Sequence, residues 1–231
     1  MAVRPTVYLF DIDGTLLDGG GSGRRAMEAG FADVTGDRNA LVGLNFAGMT
    51  DPAIVRAGLR AVASAAERDV DLIAQVIDRY LARLPDEIAK SEMFRLHTGV
   101  DAVLGTLARR SHAAIGLGTG NVEPGARIKL GPLGVVDAFA FGGFGSDHED
   151  RPTLVGIGAT RGIEALGCTR ADARVVVIGD TPKDVHAALA IGAECLAVAT
   201  GWFSVDDLRA AGATLAVADL DDPAALEWLR A

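Results

Sequence analysis

Residues 7–15 read VYLFDIDGT, an apolar run that ends in two aspartates, Asp11 and Asp13, followed by Gly14. An apolar run without alternation is typical of a strand that is covered on both faces of a parallel sheet. Two carboxylates directly after such a strand cannot both enter the core, so we expect them at the carboxyl edge of the sheet, where doubly wound folds bind ligands. Gly14 permits the sharp turn away from the strand. Taken alone, the stretch is also compatible with an acidic turn after an edge strand.

Further apolar, β-branched runs predict strands at 113–118, 174–179, 194–199 and 214–218. Helical patterns lie between the later runs, at 153–166 and 182–191. Each begins next to a proline and ends near a glycine, the expected punctuation of a helix. Alternating strands and helices predict an α/β fold with a Rossmann-like, doubly wound parallel sheet.

The segment after the first strand has a different pattern. From 17 to 95 no convincing strand is visible, and helices are predicted around 24–34, 52–66 and 70–84. A glycine-rich stretch at 19–23 is typical of a flexible hinge. We therefore predict an α/β core formed by 1–17 and 96–231, and a helical domain at 18–95 inserted after the first strand.

Two more strand ends carry polar residues. Thr119, Gly120 and Asn121 follow the second predicted strand, and a hydroxyl flanked by glycines suits a phosphate oxygen. Asp180 ends the strand at 174–179, and Asp184 follows at a helix start, where it could simply favour the positive end of the helix dipole. Three strand ends would thus bring acidic and hydroxyl side chains together at one edge of the sheet. This arrangement predicts a functional site there.

The composition of the chain excludes some classes of binding partner. The 231-residue chain has a formal net charge of −9 and no basic block, which argues against nucleic acid, since that needs clustered Lys and Arg. No apolar run approaches the roughly 18 residues of a membrane span, and the apolar stretch 6–10 is too short for a secretory signal, so we expect no membrane partner and a cytoplasmic location. Cys168 and Cys195 are interpreted as core thiols. Monomer and homodimer both stay open.

Together, the segments around Asp11/Asp13, Thr119 and Asp180/Asp184 resemble the haloacid dehalogenase superfamily, and the helical insert resembles the cap of its phosphoglycolate phosphatase-like branch. The resemblance implies that Asp11 is the nucleophile and that Asp13 is a general acid and base with a raised pKa. It also implies a Mg²⁺ cofactor held by the Asp11 carboxylate, the Asp13 backbone carbonyl and Asp180, with Asp184 in support.

The basic residue of the family pattern is where this chain differs. The branch usually has a lysine before the proline that opens the helix leading to the third motif, and here Arg151 precedes Pro152. Arg151 is therefore favoured, with Thr119, Gly120 and Asn121, as a ligand of the substrate phosphate. Lys129 is the rival, and its alternative interpretation is an ordinary solvated helix lysine.

The function implied by the resemblance is Mg²⁺-dependent hydrolysis of a small phosphorylated metabolite, such as 2-phosphoglycolate or a sugar phosphate, through an aspartyl-phosphate intermediate. Asp13 favours a phosphatase over a dehalogenase, since the family's dehalogenases lack this second acid. A phosphomutase of the same superfamily and a non-catalytic phosphate-binding relative are the alternatives. A phospho-acceptor signalling domain would not need so long an insert.

Overall fold

The computed structural model describes residues 4–63 and 66–230. Its strands are β1 Thr6–Phe10, β2 Leu17–Asp18, β3 Arg95–Leu96, β4 Ala113–Thr119, β5 Phe141–Phe144, β6 Arg174–Gly179, β7 Glu194–Val198 and β8 Leu215–Val217. Six of them form one parallel sheet in the order β5-β4-β1-β6-β7-β8, and two form a separate antiparallel ribbon, β2-β3. The predicted fold class is confirmed.

Helices cover both faces of the sheet and build the insert. The α-helices are α1 Ser22–Thr35, α2 Asp51–Val62, α3 Val70–Ala89, α4 Val100–Leu107, α5 Glu123–Leu130, α6 Arg151–Leu166, α7 Pro182–Ala190, α8 Val205–Ala210 and α9 Pro223–Arg230. Side chains of α4, α5 and α9 pack on one face, and those of α6, α7 and α8 pack on the other, which gives two separate apolar clusters. Coverage on both faces explains why the strands are apolar without alternation.

The helical insert consists of α1, α2, α3 and the loops that connect them. It has its own apolar cluster, in which Phe31, Leu59 and Tyr80 from the three helices are almost completely buried. The β2-β3 ribbon lies where the chain enters and leaves the insert, with Leu17 opposite Leu96. The expectation of no strand at 17–95 is therefore wrong at both ends, because two-residue strands are too short to produce a periodic pattern. The domain boundaries at 17/18 and 95/96 stay a prediction.

Several element bounds differ from those expected. Helix α2 ends at Val62, since Ala63 has extended dihedral angles, and residues 64–65 of the predicted helix lie outside the described residues. Helix α3 continues past Pro85 to Ala89, although proline usually ends a helix, because Leu84 and Ile88 bury their side chains in the insert.

The glycine-rich segments also behave differently from the expectation. The stretch at 19–23 is a linker only as far as Gly21, since Ser22 and Gly23 already belong to α1. Strand β5 was not predicted, because its sequence FGGF is short and half glycine. A Cβ at Gly143 would lie 1.8 Å from the Leu154 carbonyl oxygen, so glycine there is what allows α6 to approach the sheet closely.

No helix in the described part of the chain has the length and apolar character needed to cross a membrane.

Candidate active site

Three neighbouring strands bring the predicted site residues to one edge of the sheet. β1 lies between β4 and β6, with Phe10 opposite both Leu117 and Ile178 in the parallel register. Asp11 directly follows β1, Thr119 ends β4, and Asp180 directly follows β6. These residues lie at or beside a cavity of about 590 Å³ between the sheet edge and the insert. The cavity is bordered by Asp11, Asp13, Gly120, Asn121, Lys129, Arg151 and Asp180, whereas Thr119 and Asp184 are fully buried behind it.

A cluster of three buried carboxylates forms the floor of this site. Oxygens of Asp11, Asp180 and Asp184 all lie within 4.8 Å of one another. Burial raises the pKa of Asp11 to about 6 even though Arg151 is close. Burial and the neighbouring Asp184 and Asp11 carboxylates raise the pKa of Asp180 to about 8. A bound divalent cation would offset the repulsion between these crowded carboxylates, and carboxylate oxygens are the ligands that Mg²⁺ prefers. This donor set therefore fits Mg²⁺.

The position of Asp180 is determined by small neighbours. The Thr15 hydroxyl donates a hydrogen bond of 3.0 Å to Asp180 Oδ1. A Cβ at Gly14 would lie 2.4 Å from Asp180 Oδ2, and Gly14 has a φ of +83°. Gly201 is equally close on the other side, where a Cβ would lie 1.9 Å from the same oxygen. Any side chain at either position would push the carboxylate out of the cluster.

Arg151 connects two of the three acids. Its Nη2 lies 2.9 Å from Asp11 Oδ2, and its Nε donates a hydrogen bond of 2.9 Å to Asp184 Oδ1. Burial alone would lower the pKa of Arg151, but the Asp11 and Asp184 carboxylates raise it above its usual value. The other Asp184 oxygen accepts from the Thr181 backbone N–H and hydroxyl, and the Asp184 N–H donates to Thr181 Oγ1, which completes the capping box of α7. The helix start therefore orients Asp184, and Asp184 orients Arg151.

Asp13 belongs to a second group of contacts. Its Oδ2 lies 2.5 Å from Lys129 Nζ and accepts a 2.8 Å hydrogen bond from Asn121 Nδ2. The Asp13 side chain is 47% exposed at the cavity, and the desolvation that remains raises its pKa only in part. Lys129 and Asn121 outweigh this effect, so the pKa of Asp13 lies below its usual value. The raised pKa expected for a general acid is therefore wrong for Asp13. Lys129 is 4% exposed, so its interpretation as a solvated helix lysine is wrong.

The loop after β4 carries the predicted phosphate ligands. Thr119 Oγ1 accepts hydrogen bonds from the Asn121 backbone N–H at 3.3 Å and from Asn121 Nδ2 at 3.0 Å. Among the described residues nothing accepts the Thr119 hydroxyl proton, and the buried Asn121 Oδ1 has no partner. The Thr119 hydroxyl thus has a proton to donate, although its side chain is fully buried, whereas Asn121 Oδ1 can only accept.

The insert contributes cavity residues that the sequence did not reveal. Asp51, the first residue of α2, is buried at the cavity wall, and Tyr80 of α3 lies nearby. The helix-start sequence Thr50-Asp51-Pro52 is a recognisable signal, but it does not show which way the acid points. At the mouth of the cavity, Trp202 follows β7 and is 91% exposed.

Comparison with known proteins agrees with this geometry. The family model described as haloacid dehalogenase-like hydrolase matches residues 5–192. The fold and the buried acidic cluster at the sheet edge are those of a hydrolase, and the chain belongs to the haloacid dehalogenase-like hydrolase family. No curated protein sequence matches it significantly.

Solved structures share the fold at low sequence identity. A predicted phosphatase from Clostridium acetobutylicum is 19% identical, with all of both chains covered and a TM-score of 0.68. A predicted phosphoglycolate phosphatase from Haemophilus somnus is 15% identical, with 97% of this chain and 98% of that one covered and a TM-score of 0.67. CbbY from Rhodobacter sphaeroides, in complex with xylulose-(1,5)bisphosphate, is 16% identical, with 95% and 96% covered and a TM-score of 0.69.

Proposed function

We propose that the chain is a Mg²⁺-dependent phosphatase that hydrolyses small phosphomonoesters through an aspartyl-phosphate on Asp11. The observation that carries the proposal is the arrangement of two aspartates after one strand. Asp11 lies in the buried acidic cluster with Asp180 and Asp184, and Asp13 points into a separate group with Asn121 and Lys129. This separation supports nucleophilic attack by Asp11 and proton transfer by Asp13.

Asp11 would attack phosphorus, so that a bond forms between its oxygen and phosphorus while the bond to the leaving oxygen breaks. Asp13 would donate a proton to that leaving oxygen and later take one from the water that hydrolyses the aspartyl-phosphate. Because the contact with Lys129 favours the carboxylate form of Asp13, the substrate would draw Lys129 away, and Asp13 would then take a proton from solvent and pass it to the leaving oxygen. The phosphoryl group provides the negative charge that attracts Lys129.

The remaining residues would bind and orient. Arg151 holds Asp11 in one rotamer and presents its guanidinium to the phosphoryl oxygens, as do the Thr119 hydroxyl and the Gly120–Asn121 peptide groups. Asp11, the Asp13 backbone carbonyl and Asp180 would hold Mg²⁺, and Asp184 would support them. The bound ion supplies positive charge that reduces repulsion between the attacking carboxylate and the phosphoryl group.

The size of the cavity favours a small substrate. About 590 Å³ lies between the sheet edge and the insert, which suits a metabolite rather than a folded phosphoprotein. The structural neighbours include predicted phosphoglycolate phosphatases and CbbY with a bound sugar bisphosphate. We therefore favour 2-phosphoglycolate or a sugar phosphate, used by a monomer or a homodimer.

A panel of phosphate esters tests this function. Purified protein is assayed with Mg²⁺ for phosphate release from p-nitrophenyl phosphate, 2-phosphoglycolate, several sugar phosphates and a phosphopeptide, with Asp11→Asn as the inactive control. We expect turnover of at least one small ester and little release from the phosphopeptide. No release from any ester would overturn the proposal, and transfer of phosphate within a sugar, seen by ³¹P NMR, would identify a phosphomutase instead.

A further inference from the structure

Asp51 ties the insert to the loop that carries the predicted phosphate ligands. Its backbone N–H donates a 2.8 Å hydrogen bond to the Gly120 carbonyl. Its side-chain Oδ2 accepts a 2.9 Å hydrogen bond from the Val122 backbone N–H. One residue of the insert thus binds the peptide groups on both sides of Asn121, and Asp51 itself is 7% exposed.

The loop at 120–122 is clamped between the insert and the core. A Cβ at Gly120 would lie 2.2 Å from the Met49 carbonyl oxygen, so glycine is needed where the insert backbone meets this loop. On the opposite side, the Gly145 N–H donates a 2.8 Å hydrogen bond to the Asn121 carbonyl. The loop therefore has little freedom as long as Asp51 is in place.

Asp51 also satisfies a donor at the start of α5. Val122 is the N-cap residue of α5, and its apolar side chain makes no capping hydrogen bond. The Val122 N–H donates to the Asp51 carboxylate, and the next amide, that of Glu123, donates to Ser146 Oγ of the core. Helix α5 carries Lys129, and its neighbour Asn121 shares the Asp13 oxygen with Lys129. The charged groups around Asp51 are Lys129, Asp13 and Asp11.

We propose that Asp51 is a positioning residue, which acts through its hydrogen bond to Val122 and makes the alignment of Asn121 and Lys129 on Asp13 depend on the docked insert. Its role is geometric, as a hydrogen-bond acceptor, and its negative charge is not required. The effect on turnover rests on the proposed phosphatase function, whereas the effect on the loop does not.

Two substitutions separate geometry from charge. Asp51→Asn keeps an acceptor oxygen in the same place without the charge, and Asp51→Glu keeps the charge but moves the carboxylate by one methylene. We expect kcat and kcat/KM to stay within about threefold of wild type for Asp51→Asn and to fall together by about tenfold or more for Asp51→Glu and Asp51→Ala. The opposite order, or equal loss in Asp51→Asn and Asp51→Ala, would show that the charge itself acts and would overturn the proposal.

Arg56→Ala is the matched control on the same helix. Arg56 binds Glu149 of the core with its guanidinium, 2.6 Å from Nη2 to Oε1, and does not touch the loop at 120–122. We expect this variant to retain wild-type kcat. A loss as large as that of Asp51→Ala would assign the effect to docking of the insert in general.

Hydrogen exchange tests the loop without any turnover. The Val122 amide should exchange about tenfold faster or more in Asp51→Glu than in wild type, and at nearly the wild-type rate in Asp51→Asn. Unchanged exchange in Asp51→Glu would overturn the positioning role. If wild type hydrolysed no ester while this exchange pattern held, the phosphatase function would fail and the positioning inference would stand.

Discussion

Lys129 Nζ lies 2.5 Å from Asp13 Oδ2, beneath the insert, while Arg151 contacts Asp11 and Asp184. The two candidate cations are therefore not rivals for one position. Each is paired with a different aspartate of the same sequence motif. We therefore expect substitutions of the two basic residues, and of the two aspartates, to have different effects on activity and stability.

The first prediction concerns the nucleophile. Asp11→Asn should abolish phosphate release because an amide does not attack phosphorus, and the fold should persist because the change removes a buried charge with a raised pKa. Circular dichroism and phosphate release measure the two effects. Asp33→Asn, at an exposed pair with Arg83 on the insert, serves as the control and should keep full activity. Release above about one hundredth of wild type from Asp11→Asn would remove the covalent mechanism.

The second prediction concerns the metal. Because three buried carboxylates repel one another in the free site, Mg²⁺ should raise the melting temperature, and EDTA should abolish activity. At a free concentration about a hundred times Kd the expected stabilisation is about 2.7 kcal/mol. Differential scanning calorimetry with and without Mg²⁺ measures it. Asp180→Ala should lose most of this increase, and full activity in EDTA would contradict the metal assignment.

The third prediction compares the two cations. Arg151→Ala leaves Asp11 and Asp184 buried without their partner, so it should lower both the melting temperature and kcat. Removal of one such group typically costs about 2–4 kcal/mol of transition-state stabilisation. Lys129→Met keeps the volume of the side chain and leaves Asp13 partly exposed to solvent, so it should lower kcat with a smaller loss of stability. Steady-state kinetics and thermal melts on both variants decide the ranking.

Wild-type activity in Arg151→Ala would move the phosphate-binding role to Lys129. Arg151→Lys is the conservative control and should recover only part of the activity, since an ammonium cannot contact both acids as the planar guanidinium does.

The fourth prediction concerns pH and stability. Burial raises the pKa of Asp51 from 3.8 to about 6, although Lys129 and the Val122 N–H act against this. A raised pKa means that the folded state binds the Asp51 proton more tightly than the unfolded state does. The stabilisation of the folded state by protonated Asp51 is therefore fully present below pH 3.8 and is lost as pH rises through about 6. Relative to Asp51→Asn, wild type should therefore lose up to about 3 kcal/mol of unfolding free energy between pH 4 and 7. Urea titrations of both proteins at several pH values measure this difference, and parallel pH profiles would contradict it.

The fifth prediction concerns the linker into the insert. Gly20 and Gly21 have φ values of +53° and +77°, which proline cannot adopt, so a double proline substitution would break this turn rather than stiffen it. Gly20→Ala should destabilise by about 1–2 kcal/mol, because an L residue is strained at positive φ. Its Cβ would also lie 2.2 Å from Ser91 Oγ. Thermal melts and kcat measure the effect.

Gly19→Ala is the control for this pair. A Cβ at Gly19 would make only ordinary contacts, at 3.6 Å to Ser22 Oγ and 3.7 Å to Asp13 Oδ1. We expect stability close to wild type for Gly19→Ala. An equal loss of stability in Gly19→Ala and Gly20→Ala would show that the positive φ of Gly20 is not needed to position the insert.

The sequence by itself determined the parallel α/β architecture, the presence of a helical insert, and the delivery of Asp11, Thr119 and Asp180 to one sheet edge. These features follow from short-range patterns, since an apolar run followed by a polar residue marks a strand end, and parallel strands bring their carboxyl ends together. The short strand β5 and the two-residue ribbon were missed because glycine and brevity remove the pattern.

Only the tertiary structure decided which charges meet. Lys129 and Asp13 are separated by 116 residues, and Asp51 and Val122 by 71. No local pattern records such a contact, because it depends on how α5 packs beside β1 and how the insert folds back over the sheet edge. The same packing sets burial, and burial raises the pKa of Asp11 against the effect of Arg151, while Lys129 lowers the pKa of Asp13. Two aspartates that look equivalent in the sequence acquire different chemistry because desolvation and neighbouring charge are properties of the folded chain.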